Sequence, residues 1–149
     1  MTAGIRTVEI AHSGVASPRW KRRAARFCGK ALLAAGHVAW DIAILLCDDA
    51  RIAELNAKYR GKKGPTDVLS FPRDEREAIV AGDIAISLPA MKRNAAAFGA
   101  TENEEMKRLL IHGILHLAGM DHGKGRSGPM LDLQEQLIEQ LRAELVIME

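Results

Sequence analysis

The sequence predicts an α+β domain, and three observations lead there. Strand-like runs, either alternating or wholly apolar, occur four times before residue 89, and helical stripes separate them. Longer helical patterns fill the remaining two-fifths of the chain. The length of 149 residues with 48% hydrophobic content suits one domain with one core, spanning residues 1–149.

The first strand is Arg6 to Ala11, where Val8 and Ile10 alternate with polar neighbours. Ser17-Pro18 then reads as an N-cap followed by a first-turn proline. The helix it opens carries the stripe Trp20, Ala24, Phe27, Cys28, Ala31, Leu32 to about Ala35, and Gly36 ends it. Ala39 to Leu46 is apolar apart from Asp41, the pattern of a strand buried on both faces. Asp48-Asp49 starts a short helix with Ile52, Leu55, Asn56 and Tyr59 at helical spacing. A Gly/Lys/Pro turn leads from it into a strand ending at Pro72, and Asp74 to Glu77 reads as an exposed loop. The last strand is Gly82 to Leu88. Pro89 opens a helix over about Ala90–Phe98, and Thr101-Glu-Asn-Glu104 is a capping box for the next. Gly123–Pro129 reads as a flexible loop, and a final helix from Met130 to about Val146 places Leu133, Leu137, Leu141 and Leu145 in step.

The chemistry concentrates in His112-Gly-Ile-Leu-His116-Leu-Ala-Gly119-Met-Asp-His122. His112 and His116 stand one helical turn apart on one face. Gly119 suits the left-handed residue that ends a helix, so the chain can return and bring His122 to the other two. Three imidazoles with a fourth position open is how a catalytic zinc is held. The spacing approaches the extended zinc-protease signature, whose glutamate follows the first histidine as general base. Gly113 occupies that position here, so the metal frame is present and the peptidase base is missing. A glycine inside a helix costs ~1 kcal/mol against alanine, and either close packing or clearance around a metal accounts for it. Asp121 is placed equally to orient a ligand histidine or to cap the turn.

Net charge is only +2 but unevenly spread. Residues 1–63 hold 12 basic and 5 acidic side chains, a net +7, and residues 64–149 hold 9 and 14, a net −5. The clusters Arg19, Lys21, Arg22, Arg23, Arg26 and Lys58, Arg60, Lys62, Lys63 attract polyanions, although charge alone reads as a solvated helix face and a basic turn. Aromatic residues at 4% are too few for a base-stacking platform. Arg60, at a helix-to-loop junction, suits a bidentate clamp on phosphate or carboxylate. Cys28 and Cys47 fall in apolar patterns and read as small buried hydrophobes. No signal-peptide pattern or membrane-length apolar run is present, so a soluble, reducing, cytoplasmic setting is expected.

Three blocks together resemble the YbeY family of bacterial metal-dependent endoribonucleases. They are His112–His122, Leu55-Asn56…Tyr59-Arg60…Pro65-Thr-Asp-Val-Leu-Ser-Phe-Pro72, and Gly82-Asp83-Ile84. The resemblance implies an α+β fold with a small mixed sheet of about four strands surrounded by helices, and a metal site at the end of the histidine-bearing helix. This agrees with the elements above. It also implies one zinc ion per chain on His112, His116 and His122, and a functional arginine at Arg60. Finally it implies action on single-stranded RNA, maturation of the small-subunit rRNA 3′ end, ribosome quality control and contacts with ribosomal small-subunit components. Met120 stands where the family usually has an aromatic, and Gly123–Pro129 replaces an acidic run.

Physical chemistry gives that implication a mechanism. Three neutral imidazoles leave the ion's double positive charge uncompensated, which favours hydroxide formation near neutral pH and attracts a phosphodiester. Arg60 would hold a non-bridging phosphate oxygen, with water or a 2′-hydroxyl as nucleophile. Two other functions fit the same frame: a metal hydrolase acting on peptides or small esters, and a non-catalytic ribosome-assembly factor with a structural metal. The missing glutamate opposes the peptide case, and the open coordination position opposes a structural metal.

Overall fold

Side-chain alternation along the strands decides which elements cover the sheet. The computed structural model describes residues 4–73, 79–120 and 128–148. Among these, β1 (Arg6–Ser13), β2 (Trp40–Cys47), β3 (Val68–Pro72) and β4 (Val80–Ser87) form one four-stranded sheet in the order β1-β2-β4-β3. β1, β2 and β4 are parallel, with Ile10, Ile44 and Ile84 in one row. β3 runs antiparallel to β4, with Ser70 opposite Ile84. The helices are α1 (Lys21–Ala34), α2 (Asp49–Arg60), α3 (Leu88–Phe98), α4 (Glu102–Leu117) and α5 (Pro129–Gln140). The chain thus adopts the expected α+β class and small mixed sheet.

The main core lies on one face of the sheet. Trp40, Ile42, Ile44 and Leu46 of β2 point into it with Ile84 and Ile86 of β4, and α1, α4 and α5 cover them. The next residues along β2, Asp41, Ala43 and Leu45, are half-buried on the other face. The strand expected to be buried on both faces is therefore buried on one. The reason is the reach of α2: its Ile52 and Leu55 cover Cys47, Leu69 and Ala85, while Ala43 and Leu45 line an open groove of about 420 Å³.

α4 is the helix around which the others are arranged. Ten of its 16 residues are buried, and it touches β3, β4, α1, α3 and α5. A helix apolar on most sides belongs inside. Leu109, Leu110, Ile111, Ile114 and Leu115 are almost wholly buried, each worth roughly 1.5–3 kcal/mol. Its start is the expected capping box: Glu104 N–H donates to Thr101 Oγ1 at 3.0 Å, and Thr101 N–H donates to Glu104 Oε1 at 2.8 Å. A Cβ on Gly113 would lie 3.0 Å from Ile84 Cδ1 and Cγ2, so the close-packing reason for that glycine is present. Gly119 has the expected left-handed backbone, φ 89°.

Two helix boundaries differ from expectation. α1 begins at Lys21, not at Ser17-Pro18. Trp20 packs against the main core, and its carbonyl accepts the first helical N–H, from Ala24 at 2.9 Å, so the helix starts where the tryptophan is anchored. α5 stops at Gln140 rather than near Val146, and Leu145 is 56% exposed instead of continuing the apolar stripe. Side chains of α4 end the helix by taking its backbone groups. Lys107 Nζ donates to the carbonyls of Leu141, Arg142 and Glu144 at 2.9–3.0 Å. Asn103 Oδ1 accepts from the amides of Val146 and Ile147 at 2.6 and 3.0 Å. Val146 and Ile147 thereby enter the core.

Cys28 and Cys47 are buried free thiols, as expected. Burial pushes them up to about 12 and about 11 respectively, so both stay protonated. Among the described residues no helix is long and apolar enough to cross a membrane. The expected Asp74–Glu77 loop lies outside the described residues.

Candidate functional site

Helical spacing brings the first two histidines together. His112 Nε2 and His116 Nε2 are 3.2 Å apart on the half-buried face of α4. Metal–nitrogen arms of ~2.0–2.1 Å at tetrahedral angles separate two ligand nitrogens by about 3.3 Å, so the pair has the spacing of co-ligands. His122 and Asp121 lie outside the described residues. Among the described residues, no group of three or more His, Cys, Asp and Glu side chains is placed to hold a metal.

The chemistry of the donors fits a metal. Gln134 Oε1 lies 2.8 Å from His112 Nδ1. A carbonyl oxygen only accepts, so Nδ1 carries the proton and the neutral ring has its lone pair on Nε2, toward His116. A ligating histidine typically donates its other N–H in this way. Gln134 is 4% exposed and was not singled out from the sequence. Its signal was there: the buried positions of α5 are Met130, Gln134 and Leu137, and a glutamine inside an apolar stripe requires a partner.

The pair opens on a cleft of about 390 Å³, shared with Asn56 and Arg60 of α2, Lys62, and residues 66–70 entering β3. Arg60 is thus brought to the same cleft as both histidines. Gly61 ends α2 with φ 65°, and Asn56 Nδ2 holds the following turn by donating to the Gly64 carbonyl at 3.0 Å. Arg60 Nη2 donates to the Ser70 carbonyl at 2.8 Å, with the guanidinium 5.9 Å from the Phe71 ring centroid. Ser70 Oγ donates in turn to the Gly113 carbonyl at 3.3 Å. One β3 residue therefore ties the arginine to the histidine helix. Among the described residues the one acid in the lining, Asp67, accepts from Asn94 Nδ2 at 3.1 Å and faces Arg108 at 3.9 Å. Its charge is thus partly neutralised, while Arg60 and Lys62 keep the cleft attractive to anions.

Gly82, in the third sequence block, has a structural task. A Cβ there would lie 2.5 Å from the Phe71 carbonyl oxygen and 2.6 Å from Leu117 Cδ2, so the glycine lets β3, β4 and the end of α4 meet.

Comparison with known proteins gives this arrangement a family. The profile described as Endoribonuclease YbeY matches residues 9–142. The chain belongs to the YbeY family. It is 41% identical over 144 residues to the protein named Endoribonuclease YbeY of Treponema pallidum (strain Nichols), covering 91% of this chain and 90% of that one. The protein of that name from Treponema denticola is 49% identical over 111 residues, covering 69% and 72%. The solution structure of TM1509 from Thermotoga maritima superposes with a TM-score of 0.63 at 31% identity, covering 93% of this chain and 91% of that chain. All three sequence blocks lie inside the YbeY match.

Proposed function

We propose that this YbeY-family protein is a single-strand-specific, zinc-dependent endoribonuclease. In this reading it matures the 3′ end of small-subunit rRNA, takes part in ribosome quality control with small-subunit components, and works in the cytoplasm. Family membership supports the endoribonuclease activity. The observation that carries the zinc reading is the convergence of His112 Nε2 and His116 Nε2 at 3.2 Å, with Gln134 setting the tautomer of His112.

His112, His116 and His122 hold one zinc ion per chain, and residues 1–149 act as one metallohydrolase domain. When bound, the ion supplies Lewis acidity and a double positive charge beside the phosphodiester. Arg60 binds a non-bridging phosphate oxygen with the donors its bond to Ser70 leaves available. That contact strengthens as negative charge grows on the phosphorane oxygens during attack by water or a 2′-hydroxyl. Asn56 and Ser70 hold Arg60 and its loop in place, so less is lost in ordering the guanidinium.

The peptidase alternative needs a carboxylate after the first histidine. Position 113 is glycine, and a side chain there would meet Ile84 in the core. The structural-metal alternative is disfavoured by the cleft itself, since ligands in structural sites are enclosed, whereas both imidazoles line open space.

The test is cleavage of a labelled single-stranded RNA by chelator-treated protein, before and after zinc is restored. Activity lost on chelation and regained at one zinc per chain is the expected result. Equal cleavage by the metal-free protein would refute the reading.

A further inference from the structure

Among the described residues, six cations outside the cleft are ion-paired. Lys30 meets Glu144, Arg51 meets Glu54, Arg73 meets Asp41 and Asp83, Arg93 meets Asp49, Arg108 meets Glu105 and Arg142 meets Glu139. The cluster at the start of α1 is different. Among the described residues, no carboxylate lies within ion-pair distance of Arg19, Lys21, Arg22 or Arg26. Arg19, Arg22 and Arg26 are exposed. Arg22 and Arg26 are one helical turn apart on one face of α1, and Arg19 lies in the turn that leads into it. Lys21 Nζ donates to His12 Nδ1 at 2.8 Å, and no acidic side chain takes part in that contact. Beside the cluster is a concavity of about 430 Å³ lined by Val8, Ile10, Arg19, Lys21, Arg22 and Ala25. Glu9, between Val8 and Ile10, points to the opposite face of β1.

We propose that Arg19, Lys21, Arg22 and Arg26 form a second RNA-binding surface, a backbone contact on the β1 edge remote from the catalytic cleft. The proposal rests on the endoribonuclease reading for the identity of the polyanion. Four unneutralised cations along a ridge match the phosphate backbone of an extended strand. The patch has no exposed aromatic side chain to stack bases, so the contact is sequence-independent and salt-sensitive. A membrane surface fits less well. The apolar stripe of α1, Ala24, Phe27, Cys28, Ala31 and Leu32, is spent in the core and leaves no face to insert.

The location gives the surface a use. β1 and β3 are the two outer strands, at opposite edges of the sheet. The cleft lies at the β3 edge and the basic cluster at the β1 edge. A very short RNA occupies the cleft alone, whereas a longer strand reaches both. The second contact therefore selects long single-stranded segments without altering chemistry in the cleft.

The experiment uses the full chain carrying Arg19→Gln, Arg22→Gln and Arg26→Gln, all exposed positions, with Arg22→Gln alone as the milder variant. Binding of a long labelled oligouridine is measured against salt in the presence of chelator, so that cleavage plays no part. Cleavage of tetrauridine is measured separately with zinc. The triple variant is expected to bind the long strand about 10–100-fold more weakly at ~0.1 M salt. Its slope of log affinity against log salt should be shallower by about 2, and that of the single variant by about 0.7. Tetrauridine cleavage should be unchanged. An unaltered salt slope in both variants overturns the proposal. So does a patch-dependent retention on phosphatidylglycerol vesicles with no change in RNA binding, which would assign the surface to a membrane. Wild-type protein that binds the long strand through the patch but, with zinc, cleaves neither it nor tetrauridine would sink the nuclease reading and leave this surface standing.

Discussion

Gln134 Oε1 accepts a hydrogen bond from His112 Nδ1 at 2.8 Å, joining α5 to α4 across 22 residues of chain. The bond fixes which imidazole nitrogen faces His116. Gln134→Leu keeps the volume and removes the acceptor. The expected effect is a 10–100-fold loss of zinc affinity with helix content preserved, read by competition with a chromophoric chelator. Unchanged affinity would mean that the tautomer is set elsewhere.

Arg60 reaches the cleft from the end of α2 and is braced by Ser70. Arg60→Ala should lower kcat about 10²–10³-fold at saturating RNA, the range for removing one donor to a developing oxyanion. Arg60→Lys should recover only part of that, because an ammonium lacks the planar fork. Single-turnover cleavage distinguishes this from weaker binding; a change confined to KM would contradict a role in the transition state.

These two residues show what could be read from the sequence. His112, His116 and Arg60 sit in local patterns, a one-turn spacing and a helix-to-loop junction, and local patterns survive folding. The four strands and the capping box at Thr101 were legible for the same reason. Gln134 was not, because its partner is on another helix and the leucine period of α5 starts at Leu133, whereas its buried face starts at Met130. The early end of α5 depends on Lys107 and Asn103, polar residues of a distant helix whose targets are backbone groups. The exposure of one face of β2 depends on how far α2 reaches, which no property of β2 encodes.

Lys107 is 4% exposed and donates to three carbonyls of the chain after α5. Burial lowers its pKa below the usual lysine value. Lys107→Met should fill the space but leave those carbonyls short of donors, at roughly 1–3 kcal/mol for each buried group. Hydrogen exchange is expected to accelerate across residues 141–147 more than in α4. Uniform protection across both segments would show that Lys107 does not hold this chain end.

Asp49 links α2 to α3 through Arg93 at 2.8 Å and Ser87 at 2.7 Å. The hydrogen bond from Arg93 first, then that from Ser87, holds its carboxyl below the ordinary 3.8. Stability from this contact is therefore complete above the unfolded-state value and is lost as pH falls through the lowered folded value. Asp49→Asn should melt below wild type at pH ~7, and the gap should close once the wild-type carboxyl protonates in acid. A gap that stays constant into that acid range would exclude a charge origin.

Nuclease chemistry at the histidine pair is best tested by comparing wild type with His116→Ala on a labelled single-stranded RNA. Both proteins are purified identically, with folding checked by circular dichroism and bound zinc quantified. Cleavage by the zinc-loaded wild type and none by the folded variant is the expected result. Equal cleavage by both would place the activity outside this site and contradict it.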